Sequence, residues 1–150
     1  EDAAALLDKI DALPYEGAGE IHGLFAQTQI QLGLKAARRA DWAGAVAALE
    51  RSKEYPEKLG SGMPYEPDTR LQDYFMSVAF EKSGQADKAK EALKAVADYT
   101  LKHLDIRGSG AYFGGLALER LGEGRKAAEI LKKAAPPAKN ILDTLRALGR

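Results

Sequence analysis

LGLKAARRADWAGAVAALERSKEYP, residues 32–56, carries the architectural signal of the chain. Gly33 and Ala45 are small residues twelve positions apart, and Ala40–Asp41 between them form a turn. Asp41 is a good cap for a following helix, and Pro56 stops that helix. Ala45 and Leu49, four apart, share one helical face. Two later stretches keep the same offsets: YFMSVAFEKSGQADKAKEALKAV at 74–96 and YFGGLALERLGEGRKAAEILKKA at 112–134. Aligned on Ala45, Ala89 and Ala127, each has a small residue twelve before (Gly33, Ser77, Gly115). Each has a turn residue five before (Ala40, Gly84, Gly122) and Leu49, Leu93 or Leu131 four after. Nine before stand Ala36, Phe80 and Leu118, and seven after stand Ser52, Val96 and Ala134. Small residues at the anchor and twelve before it let two antiparallel helices approach closely. Larger residues nine before and four after fill the gap and reach the next pair. Ala3, Leu7, Ile10 and Pro14 fit half a copy.

Composition points the same way. The 150 residues include 27 Ala and 19 Leu but only 6 Ile and 3 Val, so helix formers dominate and strand formers are scarce. The expected fold class is all-α. Lys and Arg number 22 against 22 Asp and Glu, and a net charge of zero disfavours nucleic acid or an anionic membrane as partner. There is no Cys, which removes disulfides, zinc-thiolate sites and thiol catalysis, and leaves the compartment open. No apolar run approaches the roughly 20 residues that span a bilayer, so no membrane insertion is expected. The start at Glu1, inside an expected helix and without Met, reads as the edge of a piece of a longer protein.

Periodicity and punctuation predict eight helices in one domain, residues 1–150. They fall near 1–13, 19–39, 41–55, 68–83, 86–103, 108–121, 124–135 and 138–148, with Pro14, Gly17, Pro56, Gly84, Gly108, Gly122 and Pro136 as breaks. Residues 57–68 are expected to form an ordered surface loop, because Leu59, Met63 and Tyr65 interrupt its polar character. The units are a half repeat at 1–16, repeats at 19–56, 68–103 and 108–135, and a helix at 138–148 that caps the open end, as terminal repeats require. Trp42, the single Trp, is expected to cover the end of its hairpin.

The three aligned stretches resemble the tetratricopeptide repeat family. Residues 32–56 carry its Leu-Gly pair, its Ala-based second helix and its closing Pro. The resemblance implies a right-handed α-α superhelix of about three helical hairpins with flanking helices; the alternative is a generic α-bundle. Ala3, Ala45, Ala89 and Ala127 lie 42, 44 and 38 residues apart, longer than the family's unit of about 34. The excess falls on PYEGAGEIHG (14–23), PEKLGSGMPYEPDTR (56–70) and KHLDIRGSG (102–110). With those loops the chain resembles the C-terminal repeat region of large bacterial proteins that carry an uncharacterised β-rich domain upstream. That second resemblance implies an association with carbohydrate-related systems.

Stacked hairpins leave a concave face lined by the first helix of each pair. The offsets put Ile30, Tyr74 and Tyr112, then Leu34, Val78 and Leu116, then Arg38, Lys82 and Arg120 on that face. Such a stripe suits an extended or helical peptide, with Tyr as a rigid anchor. The simpler account of the tyrosines is packing on neighbouring helices. Some tetratricopeptide proteins hold a partner's C-terminal carboxylate with Lys and Asn at these positions; here they are mostly apolar or aromatic, so no such clamp is expected.

His22 and His103 lie 81 residues apart and form no His-x-x-x-His pair, so neither metal nor cofactor is expected. Glu16, Glu20, Glu66, Asp68 and Asp73 gather at the enlarged loops. Paired carboxylates can act on a glycoside, but beside helix starts they are more often caps and dipole partners. Gly108, Gly110, Gly114 and Gly115 match no phosphate-binding spacing, and close helix packing explains the last two more simply. Lys132, Lys133, Lys139, Arg146 and Arg150 make a basic end diluted by Glu129 and Asp143, as a solvated helix face would. The expected function is a non-catalytic protein-interaction or scaffolding module whose partner is a protein, a peptide or the upstream domain of its own chain. The alternative is an accessory region of a carbohydrate-active protein, with Glu16, Glu66 or Asp68 reaching a sugar site.

Overall fold

Asp41 caps its helix as the sequence requires, its side chain accepting from the Gly44 N–H at 2.9 Å. In the computed structural model, which describes residues 2–11, 18–105 and 108–149, that helix is the third of eight. The elements are α1 (Asp2–Leu7), α2 (Ala18–Arg38), α3 (Trp42–Arg51), α4 (Arg70–Lys82), α5 (Ala86–Lys102), α6 (Ser109–Arg120), α7 (Gly124–Leu131) and α8 (Lys139–Ala147). A single 3-10 turn, Glu57–Leu59, interrupts the connection from α3 to α4. Among the described residues there is no strand, so the protein is all-α.

α2 packs on α3, α4 on α5 and α6 on α7, and one turn geometry joins all three pairs. Ala40, Gly84 and Gly122 have positive φ, at 58°, 78° and 85°. In each turn the next residue's N–H reaches back five positions: Asp41 to Ala36, Gln85 to Phe80, Glu123 to Leu118, at 2.8–3.0 Å. The turn residue's own N–H reaches back three, to Ala37, Glu81 and Glu119. These are Schellman caps, which satisfy the last carbonyls of the first helix and reverse the chain. Close approach within the pairs follows from the small residues. A Cβ on Gly33 would stand 2.8 Å from Leu49 Cγ, and one on Gly115 would stand 2.5 Å from Leu131 Cγ.

The pairs also pack on one another. α3 meets α4, α5 meets α6, and the first helices α2, α4 and α6 lie side by side. The main core runs through all of them, from Leu34, Ala45 and Leu49 through Tyr74, Val78, Leu93 and Val96 to Phe113 and Ala117. Trp42 starts α3 half-buried against this core. A second cluster joins Leu7 of α1, Phe25 of α2 and Leu59 of the 3-10 turn. Leu59 is therefore the apolar residue that anchors the 57–68 loop. Met63 and Tyr65, expected to help, stand out in solvent, Tyr65 at 96% exposure.

Three helices are shorter than expected by four residues or more. α1 ends at Leu7 in a turn whose Lys9 and Ile10 N–H groups bond three residues back. Leu13, Pro14 and Gly17, expected to close it, lie outside the described residues. α3 ends at Arg51, where the Ser52 hydroxyl donates to the Leu49 carbonyl at 2.7 Å. α7 ends at Leu131 rather than 135, because Pro136 and Pro137 push the residues before them away from helical geometry.

The last helix departs most. A cap would pack on α7 at the open end, but α8 packs against α2. Arg38 makes this junction, donating from Nε to Thr144 Oγ1 at 2.8 Å and from Nη2 to the Asn140 carbonyl at 2.7 Å. Its Nη2 also reaches Thr144 Oγ1. Asn140 Nδ2 donates to Gln31 Oε1 at 3.0 Å. The physical reason is burial: on α2, Leu145 and Leu148 join the main core and Thr144 is fully enclosed.

Candidate functional site

The residues assigned to an open concave face occupy three environments. Leu34, Tyr74 and Val78 are buried within the core. Ile30, Tyr112 and Leu116 are half-buried against it. Arg38 and Lys82 are exposed at the ends of α2 and α4, while Arg120 is largely covered. The offsets thus identify residues that line one layer, but that layer is not open along its length, because α8 lies on it. Leu145 and Leu148 of α8 share a cluster with Leu34, Tyr74, Val78, Phe113 and Ala117, and Ile141 and Leu142 flank it.

α8 is itself amphipathic. Ile141, Leu142, Leu145 and Leu148 face inward, while Lys139, Asp143 and Arg146 form an ion-paired outer face. The Lys139 hydrogen bond at 2.6 Å holds the Asp143 carboxyl below its usual range. Gln31 meets Asn140 and Arg38 meets Thr144, so α8 runs in the same general sense as α2. At its N-terminal end a groove of about 540 Å3 stays open, with Leu24, Gln27, Ile30, Leu71, Ala138 and Ile141 in its lining.

Between α4 and α6 the same layer is polar at one edge. Arg120 donates to Ser77 Oγ at 3.0 Å and to Glu81 Oε2 at 2.6 Å, with its guanidinium carbon 5.7 Å from the Tyr74 ring centroid. Tyr74 also packs on Phe113 at 5.5 Å between centroids. The tyrosine is a core residue, as the packing account holds.

The loop carboxylates are engaged within the protein. Arg70, at 1% exposure, donates from Nε and Nη2 to the two Asp68 oxygens at 2.8 and 2.7 Å. It also bonds Thr100 Oγ1 at 3.3 Å and lies over the Tyr99 ring at 5.1 Å. Partial burial pushes the Asp68 carboxyl up, but hydrogen bonding and charge from Arg70 outweigh it and hold it below the usual range. Glu66 pairs with Lys102 and with His103 Nε2 at 3.1 Å, and the Lys102 hydrogen bond holds its carboxyl low. Asp73 accepts from Lys53 at 3.0 Å and from Thr69 at 2.7 Å. Glu20 sits in the first turn of α2, and Glu16 lies outside the described residues. A small cavity of about 120 Å3 beside this cluster is lined by Thr100, His103, Leu104, Ala111, Glu129, Ile130 and Lys133.

His22 stacks on Tyr55 at 3.8 Å, and its Nε2–H donates to the Glu54 carbonyl at 3.0 Å. Among the described residues no group of three or more His, Asp or Glu is placed to hold a metal ion, and no helix is long and apolar enough to cross a membrane. Gly114 is explained by packing, since a Cβ there would lie 2.8 Å from the Thr100 Cβ. Sequence reasoning missed the polar half of the α8 seat: Gln31, Asn140 and Thr144. Their only signal was the four-residue spacing of Asn140 and Thr144 at the edge of the apolar stripe of an amphipathic helix.

The fold and this site define an all-α protein of paired helices whose first-helix layer holds a helix of its own chain. Comparison with protein-family models, with curated proteins and with solved structures finds no match for the chain.

Proposed function

We propose that this chain is a non-catalytic protein-interaction or scaffolding module, built as a short right-handed superhelix of tetratricopeptide-like hairpins. The observation that carries the reading is the seating of amphipathic α8 on the α2–α4–α6 layer, by apolar packing and by Arg38 and Gln31. A surface that accepts a helix in this way has the chemistry of a helix-binding groove. The three identical turns and the small-residue contacts support the repeat architecture. Its partner is a protein or peptide, including a domain of the same parent chain.

A sugar site built on the loop carboxylates has less support. Glu66, Asp68 and Asp73 already accept from cations of the same protein. The discriminating experiment places a photocrosslinking residue at Gln31, beside α8, or at Lys94, on the exposed side of α5. Crosslinked partner protein from source cells at 31 and none at 94 is expected. Equal labelling at both positions, or none at 31, would overturn the reading.

A further inference from the structure

We propose that α8 is an exchangeable occupant of its seat, and that the seat takes in trans an amphipathic helix with the α8 pattern. This rests on the interaction reading above and specifies the partner's chemistry. Apolar residues would stand at the spacing of Ile141, Leu142, Leu145 and Leu148. A small hydroxyl would take the place of Thr144, and a residue with a side-chain amide that of Asn140.

Three observations carry it. First, the seat reads polar groups as well as burying apolar ones. The Arg38 guanidinium spans Thr144 Oγ1 and the Asn140 carbonyl, and Gln31 reads the Asn140 amide. In an extended strand residues four apart share a face but lie about 13 Å apart, beyond the span of one guanidinium, whereas a helix brings them within about 6 Å. Thr144 Oγ1 donates to that same Asn140 carbonyl at 2.8 Å, so one helical turn is the unit recognised. Second, α8 is built to leave. It has nine residues, too few to be stable as an isolated helix. It follows 132–138, whose Pro136 and Pro137 break continuity with α7. Its bonds through Asn140 lie at exposed positions. Third, α8 does not fill the groove. The open part beside Leu24, Ile30 and Leu71, with Leu24 at 54% exposure, gives a longer helix an extra apolar turn of contact that α8 lacks.

Tethering sets the competition. A helix on a short linker acts at an effective concentration on the order of millimolar. A free copy at micromolar concentration is therefore excluded until the tethered one is weakened or the free one is extended. α8 accordingly sets a threshold that selects partners with the longer apolar face.

The test uses the full chain and a fluorescent peptide of residues 138–149, read by anisotropy. The Leu145→Glu chain, with α8 expelled, should bind the peptide at least tenfold more tightly than the unaltered chain. Thr144→Val replaces only the hydroxyl read by Arg38 with a methyl group, keeps the apolar contacts of α8, and should give a smaller gain in the same direction. A peptide with one added apolar turn at its N-terminus should bind the unaltered chain more tightly than the plain peptide. Equal affinity for all three chains, or equal binding of a scrambled peptide, would overturn the proposal. Dimers of the unaltered chain without peptide binding would assign the seat to a second copy and overturn it too. Crosslinked partners at Gln31 alongside peptide failure would leave the interaction reading standing and remove only this inference.

Discussion

Ala40 is the one non-glycine residue in the left-handed region among those described, and it occupies the turn position filled elsewhere by Gly84 and Gly122. An L-residue there costs roughly 1–2 kcal/mol, partly offset because glycine loses more entropy on folding. Ala40→Gly should therefore stabilise the protein by about 0.5–1 kcal/mol, and Gly84→Ala should destabilise it by about 1 kcal/mol, both read by urea unfolding. The alignment made this position visible as a turn, though not its conformation, since Ala gives no sign of a positive φ. Asp68 offers a test in pH. Its folded-state carboxyl is held below the usual range by Arg70. The pairing therefore contributes stability above the unfolded value of about 3.9, and that contribution is lost as pH falls through the lower folded value. Asp68→Asn should lower Tm at pH 7, and the deficit should shrink as pH falls below about 4. A deficit that stays constant to pH 2.5 in thermal melts would contradict this assignment. The burial of Arg70 was not legible in the sequence, because an Arg after Asp-Thr reads as a solvent-exposed helix start.

At the scale of elements, periodicity locates all eight helices because each carries its own apolar stripe and each break has a Gly or Pro, except that between α2 and α3, where Ala40 and the cap Asp41 take that place. It is weaker at ends set by local hydrogen bonds, as at Ser52 and Lys9. The partner of α8 was beyond its reach. Four apolar residues at helical spacing say that α8 needs a cover, not which one. The contact that decides it, Arg38 with Thr144, joins residues 106 apart. The burial of the candidate face lies beyond the offsets for the same reason. Offsets give the layer to which Leu34, Tyr74 and Val78 point, while their burial depends on a helix that arrives from the far end of the chain. A short helix held by one seat should also open on its own. Hydrogen exchange should show α8 amides, Leu142 to Leu145, exchanging through an opening of lower free energy than those of α4, such as Val78 and Ala79. Equal protection in both helices would mean that α8 is an inseparable part of the core.

For the whole molecule, zero net charge is the sum of many short-range pairings rather than of opposed poles. Lys53 illustrates this between Glu50 at 2.9 Å and Asp73 at 3.0 Å. Burial works against its charge, yet those two carboxylates raise its pKa above the usual value. High Ala content likewise has a structural meaning, since Ala45, Ala89 and Ala127 are all buried where the second helix of a pair meets the first. The return of α8 has a further consequence. The segment 132–138 has seven residues and reaches at most roughly 25 Å when extended. Each added helix pair would move α2 away from the end of α7 by on the order of 10 Å or more. Where that displacement exceeds the slack in the tether, α8 no longer arrives at Arg38. The linker thus works as a ruler: it ties the number of helix pairs to a closed groove, so that gaining a pair by duplication would also switch the seat from occupied to empty.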